Sequence, residues 1–341
     1  MKKINWGIIG LGNVALEFAK SFDKIKNAQL VSIASKDNNK IKIFQDQFKI
    51  DKNFIFHDYE DLLDCEIVDI IYIALPNSHH YKWIMKCIEK KKRILIEKPA
   101  VLNFTEIENI NQRLKNSNLL FVEAFMYRYH PQIKKVIEII KKKKIGKLIS
   151  IESMYGKDIL TKKNIFGLKK NKKINIKSRL FNKDLGGGSI LDLGCYPTSF
   201  ALLIASLIPG INLNNMKLVN KKNDIGPTEV DIEGNIELNF DNQFKCKLRS
   251  SFKKNLGKKT IIYGDKGKLE IEDSWHGKPA RVTVEGEENY IDDTSSNENV
   301  YKLQIEEVSN TVIENKKEIN YPGMTISETL LNMKILDMWK G

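Results

Sequence analysis

The feature that most constrains this chain is the alternation of two periods over its first 123 residues. Short apolar runs at residues 5–9, 29–34, 69–75, 93–96 and 119–122, with a weaker one at 53–56, read as buried strands. Between them lie stretches with helical spacing, at 14–22, 39–48, 59–63, 78–90 and 104–115. Strands that are apolar on both faces and separated by helices specify a parallel sheet covered on each side, because joining parallel neighbours takes a long crossover. Residues 1–123 are therefore expected to form a doubly wound α/β domain.

After Glu123 the rhythm changes. Pro131 opens a helix to about residue 140, a strand follows at 148–155, and a basic, irregular stretch leads to Gly186-Gly187-Gly188. Residues 189–206 read as a helix closed by Pro209-Gly210. Short strands then repeat at 217–221, 230–240, 243–252, 258–263, 267–271 and 281–284, separated by turn residues such as Gly264-Asp265-Lys266-Gly267. Helices at 301–314 and 327–339 close the chain. Residues 124–341 are expected to form an α+β domain on a large, mostly antiparallel open sheet, with the last helix able to pack back on the first domain. Two domains also suit a length of 341 residues, since single domains mostly run ~100–200.

Composition excludes several classes. No run reaches the ~18 uncharged apolar residues of a membrane span, and Met1-Lys2-Lys3-Ile4-Asn5-Trp6 leads on without a small-residue cleavage site. Cys65, Cys87, Cys195 and Cys246 are widely spaced with no CxxC pair, which argues against a zinc ribbon or a disulfide framework and for a reduced, cytoplasmic protein. No metal is expected. The net charge of +13 invites a nucleic-acid reading, but residues 141–183 alone hold fifteen Lys/Arg against two Asp/Glu, and the rest is close to neutral. Only six of the 56 basic residues are Arg, the usual reader of base edges. The basic stretch reads as a solvated lysine face, with attraction to an acidic substrate as the alternative.

Four motifs carry chemistry. Gly10-Leu11-Gly12-Asn13-Val14-Ala15 is a G-x-G-x-x-A placed between the first strand and the first helix. There Gly10 permits a tight turn, Gly12 lets a pyrophosphate approach the backbone, and Ala15 lets helix and strand pack closely. The helix N-terminus offers unpaired N–H groups to the phosphates, with Leu11, Asn13 and Val14 beside them. At the end of the second strand, where a carboxylate would bind a ribose 2′-hydroxyl, the chain reads Ser35-Lys36-Asp37. A hydroxyl and an ammonium suit a 2′-phosphate, so NADP(H) is favoured over NAD(H), with Asp37 leaving NAD open. Glu97-Lys98-Pro99 follows the fifth strand, and Pro99 biases Lys98 toward an extended conformation that would aim it at the crevice. A solvated strand end is the plainer reading of those charges. Finally, the glycine run allows close backbone approach to a ligand, and Asp192 and Tyr196 fall at i and i+4 on one helical face. Such a pair could grip and deprotonate a sugar hydroxyl, or could be a dipole-stabilising Asp and a core Tyr.

These motifs occur in order with Leu75-Pro76-Asn77-Ser78-His79-His80 and Glu123-Ala124-Phe125-Met126-Tyr127-Arg128-Tyr129-His130-Pro131. Together they resemble the glucose–fructose oxidoreductase, inositol dehydrogenase and rhizopine catabolism protein family (Gfo/Idh/MocA), over nearly the whole chain. The match is nearest its tyrosine-containing branch of dihydrodiol and NADP-dependent xylose dehydrogenases; many relatives have His where this chain has Tyr196. The resemblance implies a Rossmann domain followed by a sheet that commonly forms the substrate wall and a homodimer or homotetramer interface. It implies that Lys98 is the catalytic lysine, Asp192 the substrate-binding carboxylate and Tyr196 the proton-transfer group. Leu75, Pro76, Asn77, His79 and Glu97 would line the cofactor, and Arg128 and His130 would border the substrate. The expected activity is hydride transfer between a nicotinamide and a carbinol carbon of a sugar, polyol or cyclic diol; the rival is a non-catalytic sugar sensor on the same fold. The expected partners are the small substrate and further copies of the chain, with neither nucleic acid nor membrane.

Overall fold

The first apolar run becomes strand β1 (Ile4–Ile9), buried along nearly its whole length. In a computed structural model, describing residues 3–163, 168–241, 243–276, 282–284 and 299–341, β1 sits centrally in a six-stranded sheet. The other strands of the sheet are β2 (Ala28–Ala34), β3 (Ile55–Phe56), β4 (Ile70–Ile73), β5 (Arg93–Ile96) and β6 (Phe121–Glu123), in the order β3-β2-β1-β4-β5-β6. Every pairing is parallel. Helices α1 (Asn13–Lys20), α2 (Asn38–Phe48), α3 (Tyr59–Asp64), α4 (Asn77–Glu89) and α5 (Phe104–Lys115) make the crossovers. Strand order reverses between β1 and β4. At such a switch point the loops leaving the carboxyl ends part and open a crevice.

The second sheet follows α6 (Pro131–Lys141) and begins with β7 (Leu148–Gly156). The basic stretch expected to be irregular holds a two-stranded antiparallel pair, β8 (Thr161–Lys163) and β9 (Lys169–Asn171), whose lysines give no apolar alternation to betray it. The helix expected at 189–206 starts as a π-helical turn, Ile190–Gly194, and continues as α7 (Cys195–Ala205). Then come β10 (Met216–Ile225), β11 (Asp231–Phe240), β12 (Phe244–Ser251), β13 (Thr260–Gly264), β14 (Gly267–Ile271) and β15 (Val282–Val284). Seven strands form one sheet, β10-β11-β12-β7-β13-β14-β15, antiparallel except for β7 beside β12. Arg281, expected to start the last strand, lies outside the described residues. Among the described residues one helical run, Lys183–Ala205, has the length and hydropathy of a membrane span, and 94% of its apolar window is buried as a core helix of this unit.

Helices α8 (Val300–Ile313) and α9 (Ile326–Lys340) end the chain. By packing, Met1–Tyr129 and Glu298–Leu330 form one unit, and His130–Asn297 with Leu331–Gly341 the other. A single cut after Glu123 would leave α8 in the second domain. Instead Ile305, Val308 and Val312 join Trp6, Phe18 and Leu120 in the first unit's core. The Trp6 indole donates to Ser309 Oγ at 3.0 Å, and Asn27 Nδ2 donates to Asn310 Oδ1 at 2.7 Å.

Candidate active site

The candidate residues fall into two groups, one in each unit. In the first unit the turn after β1 has little choice of residue. Gly10 sits at φ +87°, and a Cβ there would lie 2.7 Å from the Ala74 carbonyl oxygen. Gly12 is the reverse case: a Cβ would meet nothing within 4 Å, and no side chain caps α1. Ala15 is fully buried and Leu11 nearly so, whereas Asn13 and Val14 are exposed. The first turn of α1 therefore presents its N–H groups to open space, a fit for an anionic pyrophosphate.

At the end of β2, Ser35 is buried, and its Oγ accepts from the Asp37 N–H at 3.1 Å. Lys36 is exposed, its ammonium 6.0 Å from the centre of the Tyr59 ring. The Asp37 carboxylate is turned onto α2 as its cap, accepting from the N–H groups of Asn39 and Lys40 at 3.0 and 3.2 Å. That is a helix-capping role, which the sequence left unresolved.

The loops after β4 and β5 are tied together. His80 is fully buried in α4 with Nε2 2.8 Å from the Leu75 carbonyl oxygen and Nδ1 2.9 Å from that of Pro99. Burial pushes the imidazole down to about 4, opposed by the two carbonyl groups, which favour the charged form; a neutral ring donates to one of them and only packs against the other. Pro76 and Asn77 lie on one side of this tie and Lys98, half-buried, on the other. Glu97 accepts from the Tyr72 hydroxyl. From the end of β6, Glu123 reaches the same turn: its Oε1 accepts from the Ala100 N–H at 2.9 Å. Burial pushes this carboxyl up to about 7. His79, beside His80, is exposed.

In the second unit Asp192 lies on the π turn and Tyr196 on α7. Both turn types keep residues four apart on one side, and π turns recur at functional sites. Asp192 Oδ1 accepts from Arg179 Nη1 at 3.1 Å, and Tyr196 is buried against Tyr155 and Trp275. The glycine run is required by the protein itself. A Cβ on Gly187 would crowd the carbonyl oxygens of Leu180 and Asn182 at 2.8 Å, and Gly188, at φ +113°, faces the Asp231 carboxylate.

Arg128 and His130 are engaged internally. Arg128 is fully buried, donating to Glu328 Oε1 at 2.8 Å and to the Pro322 carbonyl oxygen at 3.3 Å. His130 caps α6, its Nδ1 accepting from the Gln132 N–H at 3.2 Å. Among the described residues no group of three or more His, Cys, Asp or Glu side chains is placed to hold a metal ion.

A profile described as the oxidoreductase family with NAD-binding Rossmann fold matches residues 4–125, and one for the GFO/IDH/MocA C-terminal domain matches 133–270. The chain belongs to the Gfo/Idh/MocA oxidoreductase family. The trans-1,2-dihydrobenzene-1,2-diol dehydrogenase of Xenopus tropicalis is 27% identical over 84% of this chain and 80% of that protein. The D-xylose 1-dehydrogenase (NADP(+)) 2 of Haloferax volcanii is 23% identical over 90% and 88%. Among solved structures, the aldose-aldose oxidoreductase of Caulobacter crescentus, complexed with glycerol, superposes with a TM-score of 0.84 at 19% identity, covering 99% of this chain and 96% of that one.

Within this Gfo/Idh/MocA chain, His80 and Glu123 are the residues that sequence reasoning passed over. His80 lies among Asn77, Trp83, Ile84 and Cys87, the buried positions of α4, and that spacing was the available signal. Glu123 ends a wholly buried strand, an unusual place for a carboxyl without a dedicated partner.

Proposed function

We propose that this NAD(P)-binding oxidoreductase is an NADP(H)-dependent dehydrogenase acting on a carbinol carbon of a sugar, polyol or cyclic diol. The observation that carries the reading is the seat of Lys98. It follows β5 at the carboxyl edge of the sheet, in a turn held by His80 and Glu123 and tied to the loop after β4. NADP(H) is favoured because Ser35 and Lys36 follow β2 while Asp37 is engaged as a cap. The Haloferax relative, by its name, uses NADP(+). The cofactor residues are then Gly10, Leu11, Gly12, Asn13, Val14, Ser35, Lys36, Leu75, Pro76, Asn77, His79, Glu97 and Lys98.

When bound, the nicotinamide supplies the hydride acceptor. Loss of hydride from a carbinol carbon requires loss of the hydroxyl proton, and Tyr196 is assigned to take it. A phenol titrates near ~10, too high for a base at neutral pH, and an ammonium alongside favours the phenolate. That is the role of Lys98. Asp192 accepts a hydrogen bond from a substrate hydroxyl and orients the carbon. The presence of both Lys98 and Tyr196 speaks against a sensor that has lost its reacting groups. A cytoplasmic location and an oligomer through the second unit's sheet complete the reading; sedimentation tests the oligomer.

The decisive assay follows the nicotinamide absorbance band with NADP or NAD and a panel of aldoses, inositols and cyclic vicinal diols. Substrate-dependent reduction is expected, faster with NADP. No reduction by any member with either nucleotide overturns the reading.

A further inference from the structure

Tyr196 is packed against more than apolar rings. Tyr155, from β7, meets it edge to face with ring centres 5.5 Å apart, and Trp275 lies 5.8 Å from it, backed by Phe200 at 5.6 Å. Packing alone would be served by phenylalanine at position 155. Instead the Tyr155 hydroxyl lies 3.2 Å from His276 Nε2, and His276 Nδ1 lies 3.3 Å from Asp273 Oδ1. Asp273 is itself anchored. Its Oδ1 also accepts from the N–H groups of Trp275 and His276, at 3.2 and 3.3 Å, and its Oδ2 takes the Lys258 ammonium at 2.9 Å. These donors hold the carboxyl well below the usual carboxylate range.

An ionised carboxylate only accepts, so the proton of a neutral His276 ring belongs on Nδ1. Nε2 is then bare and accepts from the Tyr155 O–H. The chain Asp273, His276, Tyr155 thus has one direction, with base and orienter arranged as in catalytic triads but ending on a phenol. We propose that Asp273, His276 and Tyr155 form a hydrogen-bonded positioning chain that fixes the ring of Tyr196 for proton transfer. This rests on Tyr196 being the proton-transfer group. Tyr155 and His276 are positioning residues: they act on substrate through the ring that Tyr155 braces.

The test compares Tyr155→Phe, His276→Ala, His276→Gln and the double variant Tyr155→Phe/His276→Ala, with Tyr196→Phe as reference. The chain predicts that either Tyr155→Phe or His276→Ala lowers kcat roughly tenfold, that the double variant falls no further, and that KM for NADP is unchanged. His276→Gln, which keeps an acceptor for the Tyr155 hydroxyl, recovers most of the loss. Effects that multiply in the double variant, or wild-type kcat in the singles, overturn the chain while a dead Tyr196→Phe still upholds the dehydrogenase reading. Normal turnover in Tyr196→Phe overturns both. A readout without turnover is the fluorine resonance of Tyr196 in fluorotyrosine-labelled protein, assigned by its absence in Tyr196→Phe. Tyr155→Phe and His276→Ala should move it to the same position and the double variant no further, whereas an unmoved resonance overturns the chain.

Discussion

His80 and Glu123 place two buried titratable groups with opposite preferences against one short turn. Folded Glu123 keeps its proton up to about 7, whereas an ordinary glutamate loses it near 4.5, so this group lowers stability as pH rises between those values. Folded His80 takes a proton only near about 4 instead of 6.5, so stability falls as pH drops through that window. Between 4.5 and 6.5 the two slopes oppose, and each shows fully only when the other is removed. Relative to the native chain, Glu123→Gln should gain about 3 kcal/mol in urea unfolding as pH goes from 4.5 to 7, and His80→Gln a similar amount from 6.5 down to 4. Differences that stay constant with pH would mean these groups titrate normally. Neither residue was legible as a site from sequence. Apolar spacing shows that position 80 faces a core, but not that two carbonyl groups wait there. The same limit governs Arg128, whose partner Glu328 lies 200 residues along the chain.

Elements were far more legible. The six parallel strands and five crossovers follow from apolar runs and helical spacing, and only their ends shift by a few residues. The failures are specific. The β8–β9 pair carries lysine where a strand would normally carry apolar alternation, and the π turn at Ile190–Gly194 has the same apolar content as an α-helix. The β1–α1 turn yields a sharp contrast. Gly10→Ala forces a side chain into positive φ against the Ala74 carbonyl and should destabilise the fold by ~1–3 kcal/mol or more. Gly12→Ala meets no protein atom and should fold normally while losing dinucleotide affinity. Thermal unfolding and nucleotide titration of both variants separate the two effects; equal loss of stability in both would contradict the assignment. At the end of β2, Lys36→Glu should weaken NADP binding roughly tenfold or more while sparing NAD, the size expected of a lost charge-assisted contact. Unaltered preference would remove Lys36 from the cofactor site.

On the scale of the whole molecule, the chain is interleaved: α8 returns to the first unit before Leu331–Gly341 rejoins the second. Sequence periodicity places a helix at 301–314, yet nothing local records which core it will join. The proposed chemistry has the same character, since Lys98 belongs to the first unit and Asp192 and Tyr196 to the second. The motifs were readable as separate strings. The joint action proposed for them was not readable in either string alone, and Tyr196 is where it can be tested with a single atom removed. The most direct measurement is kcat of Tyr196→Phe beside its NADP affinity. Removal of the phenolic oxygen should lower turnover by ~10²–10⁴ and leave nucleotide binding intact; turnover at the native rate would contradict the account.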